Sequence, residues 1–416
     1  MKAETGQGAA AIPWIVAALL FAVMIMVYWP GELIGDNVRQ LAEIRSNAIS
    51  DWHSPWHTTL WKLLGAPRTE PLLVIQLALY WLGFALIAAA LRRLAGLRWA
   101  LAMLAVGLTP ASLLYLGRMQ KDTFMVACLV LATGLIARHG RFAALLPLLS
   151  GMLTRVNAVA AVAPMFFRND RHRLRDVGLA LFVSLALIVV SRVINFGLFH
   201  AQHSQVEKSL QLFDIAGVEH FSGDRSIEPQ ISACYTPFWW DELEIRCHAF
   251  SNSKAPLTRV WLSSIVHHPI AYAEHRVAAF NRNVYFLVDP GQDCAADPKN
   301  AFCQGGSGGL LRDALLRNPF LWPVTWLVLG LAFVFTRPVP FAQTLAISAL
   351  GYGVGYLLIG VAAGFRYFYW TEIAIQIALL WQAATVGIPR WRWLVTAVLA
   401  VWVAGLAWRY VPLIFA

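Results

Sequence analysis

Gly35–Trp61, GDNVRQLAEIRSNAISDWHSPWHTTLW, is the densest run of polar and titratable residues in an otherwise lipid-compatible chain, and it directly follows the first apolar stretch. Read as a helix, its first part places Asp36, Arg39, Gln40, Glu43 and Asn47 on one face, and Ile34, Val38, Leu41 and Ile49 on the other. That pattern suits a helix lying in a membrane interface, polar face towards water and apolar face in lipid or against neighbouring spans. Asp51-Trp52-His53 reads as a turn, Ser54-Pro55 as the N-cap and first position of a second short helix, and Gly65 as its stop. Two short helices bearing acids and histidines beside a membrane have the make-up of a site. A solvated interfacial linker is the plainer alternative.

Outward from this stretch the chain is apolar. Of its 416 residues 58% are hydrophobic and only 13% charged, and the mean hydropathy is +0.58. These values exclude an ordinary soluble protein and imply many membrane spans. The 18 tryptophans suit rings anchored at both interfaces. The net charge of +10 resides in short loops between apolar runs, so it is read as setting orientation and touching anionic headgroups, not nucleic acid. MKAETGQGAAAIPW at the start carries no convincing cleavage site, and the first apolar run is expected to stay as a span.

Apolar runs at 11–30, 71–91, 99–116, 123–137, 177–199, 319–336, 340–363, 368–387 and 393–413 are read as spans. Residues 142–167 read as two short halves interrupted by Thr154-Arg155-Val156-Asn157. The expected fold is an all-α polytopic membrane protein of about 11 transmembrane or re-entrant helices. It divides into an N-terminal transmembrane module at 1–199 with interfacial helices at 31–65, an extracytoplasmic loop domain at 200–309, and C-terminal transmembrane helices at 310–416. Placing every Arg-rich short loop in the cytoplasm puts the N-terminus inside. The segments 31–70, 117–122, 200–309 and 364–368 then lie together outside. Cys128 falls within a span, whereas Cys234, Cys247, Cys294 and Cys303 fall in the large outer segment, where an even number suggests two disulfides with three pairings open. No glycine-rich phosphate loop is present, which argues against a nucleotide-driven pump.

Several residues have the chemistry of a site. Asp36 lies just past the first span, where partial desolvation is expected to bring a carboxylate's pKa towards neutrality and suit it to general-base work. Asp51, His53 and His57 are ordinary ligand types for a divalent cation, although the proline between the histidines breaks the usual ligand spacing. Lys121 and Arg118, beside Asp122, can grip a phosphate or diphosphate at a span's mouth; a basic turn on lipid headgroups is equally compatible. Arg155 and Asn157 break an apolar run, and an intramembrane Arg normally faces a partner or a polar cavity. Arg366 and Tyr367, with Glu372 nearby, add a further cation and aromatic rings. Gln211–Gly217 and the segment from Cys234 to Cys247 read as a folded lid. His267, His268 and His275 are assigned to a helix at the membrane surface without a catalytic part.

In these features the chain resembles the polytopic glycosyltransferases of the GT-C class, particularly bacterial members that use polyprenyl-phosphate sugars. The resemblance rests on Asp36 after the first span, the Asp51-Trp-His-Ser-Pro segment, Lys121-Asp122, Thr154-Arg-Val-Asn157 and Arg366-Tyr367, in that order. It implies a GT-C-like fold and inverting transfer from a lipid-phosphate-sugar donor to an envelope glycan or lipid acceptor. The reaction would take place on the outer face of the bacterial cytoplasmic membrane. Asp36 would be the base, with Asp51 and His53 beside it as catalytic candidates. Arg39, Gln40, His57, Arg118, Lys121, Asp122, Arg155, Asn157, Arg366 and Tyr367 would contact substrate. The family's usual paired acids are absent, since Asn37 follows Asp36, which leaves the metal requirement open and a divalent cation the minority reading. The rival functions are a lipid-linked sugar flippase, an O-antigen polymerase or ligase, and a structural subunit of an envelope assembly.

Overall fold

The computed structural model describes residues 7–166, 173–253, 257–288 and 317–415. Among these residues the chain is helical, with isolated bridges and no strand. Among the described residues six helices are long and apolar enough to cross a membrane: Ala10–Tyr28, Glu70–Ala95, Lys121–His139, Val177–Leu198, Pro340–Ile359 and Trp391–Tyr410. Leu97–Val106, Arg141–Thr154, Val156–Phe166 and Pro323–Phe335 are shorter and also apolar. The protein is thus an all-α membrane protein.

The N-terminal helices are α1 (Gln7–Tyr28), α2 (Gly35–Ser46), α3 (Pro55–Leu63), α4 (Glu70–Ala95), α5 (Leu97–Val106), α6 (Pro110–Tyr115), α7 (Lys121–His139) and α8 (Leu145–Thr154). Local chemistry sets most of their ends. Ser54 caps α3 by accepting from the His57 amide, with Pro55 at the first position, and Gly65 follows its end at φ +90°. α4 carries Glu70 in its first turn and Arg92 and Arg93 in its last, signs that complement the helix dipole, and Gly96 ends it at φ +95°. The run expected to span at 99–116 is broken instead: α5 stops at Val106, and a turn through Gly107–Thr109 leads into α6, with Pro110 at its first position. Pro110 lacks the amide that a continuous helix needs there.

The chain forms two compact units. The first comprises Met1–Ser204, Gly330–Gly353 and Arg366–Trp391. Its centre is the α4–α7 pair, whose backbones touch at two glycines. A Cβ on Gly83 would lie 2.6 Å from the Val130 carbonyl carbon, and one on Gly134 would lie 2.6 Å from the Gly83 oxygen. Small residues permit such approach between apolar helices that share no hydrophobic driving force in lipid. Tyr80, Trp81 and Phe84 of α4 pack as a buried aromatic group beside this seam.

The second unit comprises Gln205–Leu329, Val354–Phe365 and Arg392–Ala416. Its polar centre is Asp214, fully buried in the helix Glu207–Ser222. Asp214 accepts from Trp261 Nε1 at 2.7 Å, meets His275 Nε2 at 3.0 Å, and pairs with the Arg276 guanidinium. Gly217 faces the His275 ring, where no Cβ fits. His275 was expected at a membrane surface; it is buried, because only there does it find Asp214 and the Tyr235 hydroxyl, the latter at 2.9 Å. One disulfide, Cys234–Cys247, is present, and Cys294 and Cys303 lie outside the described residues.

The glycine seam makes a testable demand. Gly83→Ala should destabilise the detergent-solubilised protein by about 1–3 kcal/mol through overpacking. Gly355→Ala, where a Cβ meets open space, should leave the thermal unfolding midpoint in place or raise it slightly.

Candidate functional site

Two backbone hydrogen bonds and one from a side chain bring separate segments of the first unit side by side. After α1, the chain pairs Glu32 with the turn before α7: the Glu32 amide donates to the Gly117 carbonyl at 2.8 Å, and the Met119 amide donates to the Glu32 carbonyl at 3.0 Å. The Ser54 hydroxyl that caps α3 also donates to the Leu153 carbonyl at the end of α8, at 2.9 Å. Residue Arg155 then leaves the helix in an extended conformation, φ −146° and ψ 117°. The interruption expected at 154–157 is therefore real, and it frees the Arg155 side chain from the helix surface.

α2 is held by its polar face. Asn37 and Gln40 are 1% and 2% exposed, whereas Val38 is 67% exposed. The expected orientation, polar face to water, holds for Arg39 and Asn47, which are exposed, but not for Gln40, which is buried with its neighbour Asn37 because adjacent segments offer both of them partners. Asn37 Oδ1 accepts from the Ile34 amide, and Asn37 Nδ2 donates to the Met119 carbonyl at 2.6 Å and to Gln40 Oε1 at 3.1 Å. Gln40 Nε2 donates to Thr58 Oγ1 at 2.9 Å and to His57 Nδ1 at 3.1 Å. Asn37 suits this position because the position requires a donor. A carboxylate there would face the Met119 carbonyl with no proton to share.

Above this neutral layer lies a charged cluster. Asp122, in the first turn of α7, is 1% exposed and receives Arg155 at 2.5 Å. Arg155 Nε also donates to Asn157 Oδ1 at 3.2 Å. Arg366 faces two carboxylates at longer range, Asp36 at 3.5 Å and Asp122 at 3.8 Å. The Tyr367 ring centre lies 5.1 Å from the Arg155 guanidinium and 5.3 Å from that of Arg366, so one ring is shared by two cations. Lys121 Nζ donates to His53 Nδ1 at 3.4 Å. Asp36, His53, Lys121, Asp122, Arg155, Asn157, Arg366 and Tyr367 are therefore one constellation, with Gln40 and His57 in the layer that supports it.

Other expected members sit elsewhere. Asp51 is taken by His203 Nδ1 at 2.8 Å and by the Ser204 amide at 2.5 Å, the end of a short backbone pairing between Ser50 and Gln202. Arg118 pairs with Glu32 at 3.0 Å and lies over the Tyr115 ring. Arg39 is exposed and lies 6.0 Å from the Trp52 ring centre. Among the described residues no group of three or more His, Cys, Asp or Glu side chains is arranged to hold a metal ion. The proposed Asp51–His53–His57 ligand set is accordingly not assembled.

The electrostatics also differ from expectation at Asp36. Burial works against its carboxylate, but Lys121, Arg366, His53 and Arg155 together outweigh that effect and hold its pKa below the usual carboxylate value. His53 and His57 move the opposite way for their charged forms. Burial first, and the Lys121 charge second, lower them to about 3 and about 4, so both are neutral near pH 7. With Nδ1 of each ring accepting, the protons reside on Nε2, and both Nε2 atoms are buried without a protein partner among the described residues. Comparison with protein-family models, curated proteins and solved structures found no match for the chain.

The buried histidines give a pH signature. Unfolded, they protonate near pH 6.5; folded, they resist protonation until about pH 3 to 4. The unfolded state therefore binds more protons below pH 6.5, and stability present above that pH is lost as it falls. Thermal unfolding in detergent should show roughly 2–3 kcal/mol lost between pH 6.5 and 4 from His57 alone. His57→Asn, whose Oδ1 can still accept from Gln40, should flatten that part of the profile.

Proposed function

We propose that the chain is a glycosyltransferase of the GT-C type that moves a sugar from a polyprenyl-phosphate carrier to an envelope glycan or lipid acceptor. The observation that carries this reading is the composition of the cluster. Lys121, Arg155 and Arg366 bring three positive charges to two carboxylates, Asp36 and Asp122, with the histidines neutral. A surplus of one cation in a partly desolvated place favours a singly charged anion, and a sugar phosphodiester carries one negative charge. Arg366 and Asp36 keep 27% and 30% of their side chains exposed, so an incoming headgroup has access.

In this reading the acceptor hydroxyl oxygen attacks the anomeric carbon, and its proton passes to Asp36. A new glycosidic C–O bond forms as the bond from that carbon to the phosphate oxygen breaks. The electron pair leaves on the phosphate, whose growing charge Lys121, Arg155 and Arg366 stabilise. No nucleotide is required, because the donor already carries its leaving group. The aromatic rings and apolar helices around the cluster suit an isoprenoid chain. The basic short loops support an inner-membrane location with this cluster facing outward.

Transfer of labelled sugar from a polyprenyl-phosphate-sugar pool to envelope glycans, measured in purified membranes, tests the proposal. Asp36→Asn should reduce the rate by about a hundredfold or more while carrier binding is retained. An unchanged rate would remove Asp36 from the chemistry and favour carrier transport over transfer.

A further inference from the structure

The two arginines of the cluster are held very differently. Arg155 sits against Asp122 at 2.5 Å, with a further bond to Asn157 and with 15% of its side chain exposed. Arg366 stands between Asp36 at 3.5 Å and Asp122 at 3.8 Å, both separations longer than a charge-assisted hydrogen bond. It is also the more exposed of the two, at 27%. One guanidinium is locked and the other is shared.

We propose that Asp36 and an incoming phosphodiester compete for Arg366, so that binding of the anion releases Asp36 from its ion pair. This rests on the reading of the cluster as a phosphate site. A phosphodiester oxygen that approaches Arg366 to bonding distance offers it a better partner than either carboxylate does at its present separation. Asp122 keeps Arg155 throughout. Asp36 loses the cation nearest its carboxylate and acquires a negative neighbour instead. Lys121, His53 and Arg155 are the other groups that act on it, and of these only Lys121 and Arg155 carry charge at neutral pH. Both changes favour the protonated carboxyl and make Asp36 a stronger base at the moment the donor is in place. At rest, Lys121 first and Arg366 second hold the Asp36 pKa down against its burial, and the anion withdraws the second of these. The site would thus couple basicity to occupancy without a moving lid.

Competition has a consequence that simple support does not: removing Asp36 strengthens anion binding. The probe is a farnesyl methyl phosphodiester, titrated against the full chain in detergent by isothermal calorimetry. Folding of every variant is checked by its size-exclusion profile and thermal transition. Asp36→Asn and Asp36→Ala should each bind the probe roughly two- to fivefold more tightly than wild type, the range expected for losing one partly exposed ion-pair competitor. Arg366→Gln should weaken binding, and in that background Asp36→Asn should lose most of its gain. Equal or weaker binding by both Asp36 variants would overturn the competition while leaving the phosphate site intact. A gain of the same size with and without Arg366 would also overturn it, since plain charge repulsion would then explain the effect. Absence of wild-type binding at millimolar probe would instead remove the phosphate reading, and this inference with it.

Discussion

A buried carboxylate must find a cation, and in this protein that requirement shapes the surroundings of α7. Asp122 lies one residue into a helix that runs through the densest part of the first unit, where it is almost entirely removed from water. Left alone, its charge would cost several kcal/mol. Arg155 meets the need, but only because the helix before it ends at Thr154 and the backbone turns extended. The break at 154–157 is therefore part of the site's construction. Tyr367 takes its position for the same reason, its ring shared by the two guanidiniums that converge on Asp122.

Beneath the charges lies a layer of neutral polar groups that bond to one another: Asn37, Gln40, His57 and Thr58. Each such bond adds only about 0.5–1.5 kcal/mol net, yet an unmatched buried group costs about 1–3 kcal/mol. The layer accordingly acts more through register than through strength. A one-residue slip of α2 would orphan the Asn37 and Gln40 amides together and carry Asp36 away from Arg366. This also explains why α2 turns Asn37 and Gln40 inward and leaves Val38 exposed.

Punctuation residues carried the legible part of the fold. Ser54-Pro55 and Gly65 bound α3 as their chemistry demands, and Thr154–Asn157 marks a true interruption. Apolar length was less reliable: 99–116 has the composition of one span, but Pro110 withholds the amide a single helix needs. Of the site, Asp36, Lys121, Arg155, Arg366 and Tyr367 stand out as charge or polarity at the edges of apolar runs. What separates them from Asp51 and Arg118 is partner choice, since His203 lies 152 residues from Asp51 and Glu32 lies 86 from Arg118. No local pattern encodes such pairings. Asp214 did carry a cue, as an acid in the apolar run LFDIAG, but His275 is 61 residues away and reads as a surface residue until its partner is known.

The two arginines also divide structural support from readiness to bind. A cation that satisfies a buried acid at short range cannot be given to a ligand without exposing that acid, so Arg155 is committed by the burial of Asp122. Arg366 is held more loosely: Arg155 already serves one Asp122 oxygen, the other is buried with no hydrogen-bond partner among the described residues and meets Arg366 only at 3.8 Å, and Asp36 retains access to water. The surplus charge of the cluster therefore resides on the side chain that can change partners at the least cost. Its 27% exposure permits hydration in the resting state. On the proposed function, placing the general-base candidate against the looser arginine, and the buried acid against the fixed one, would make the same cluster stable when empty and responsive when filled.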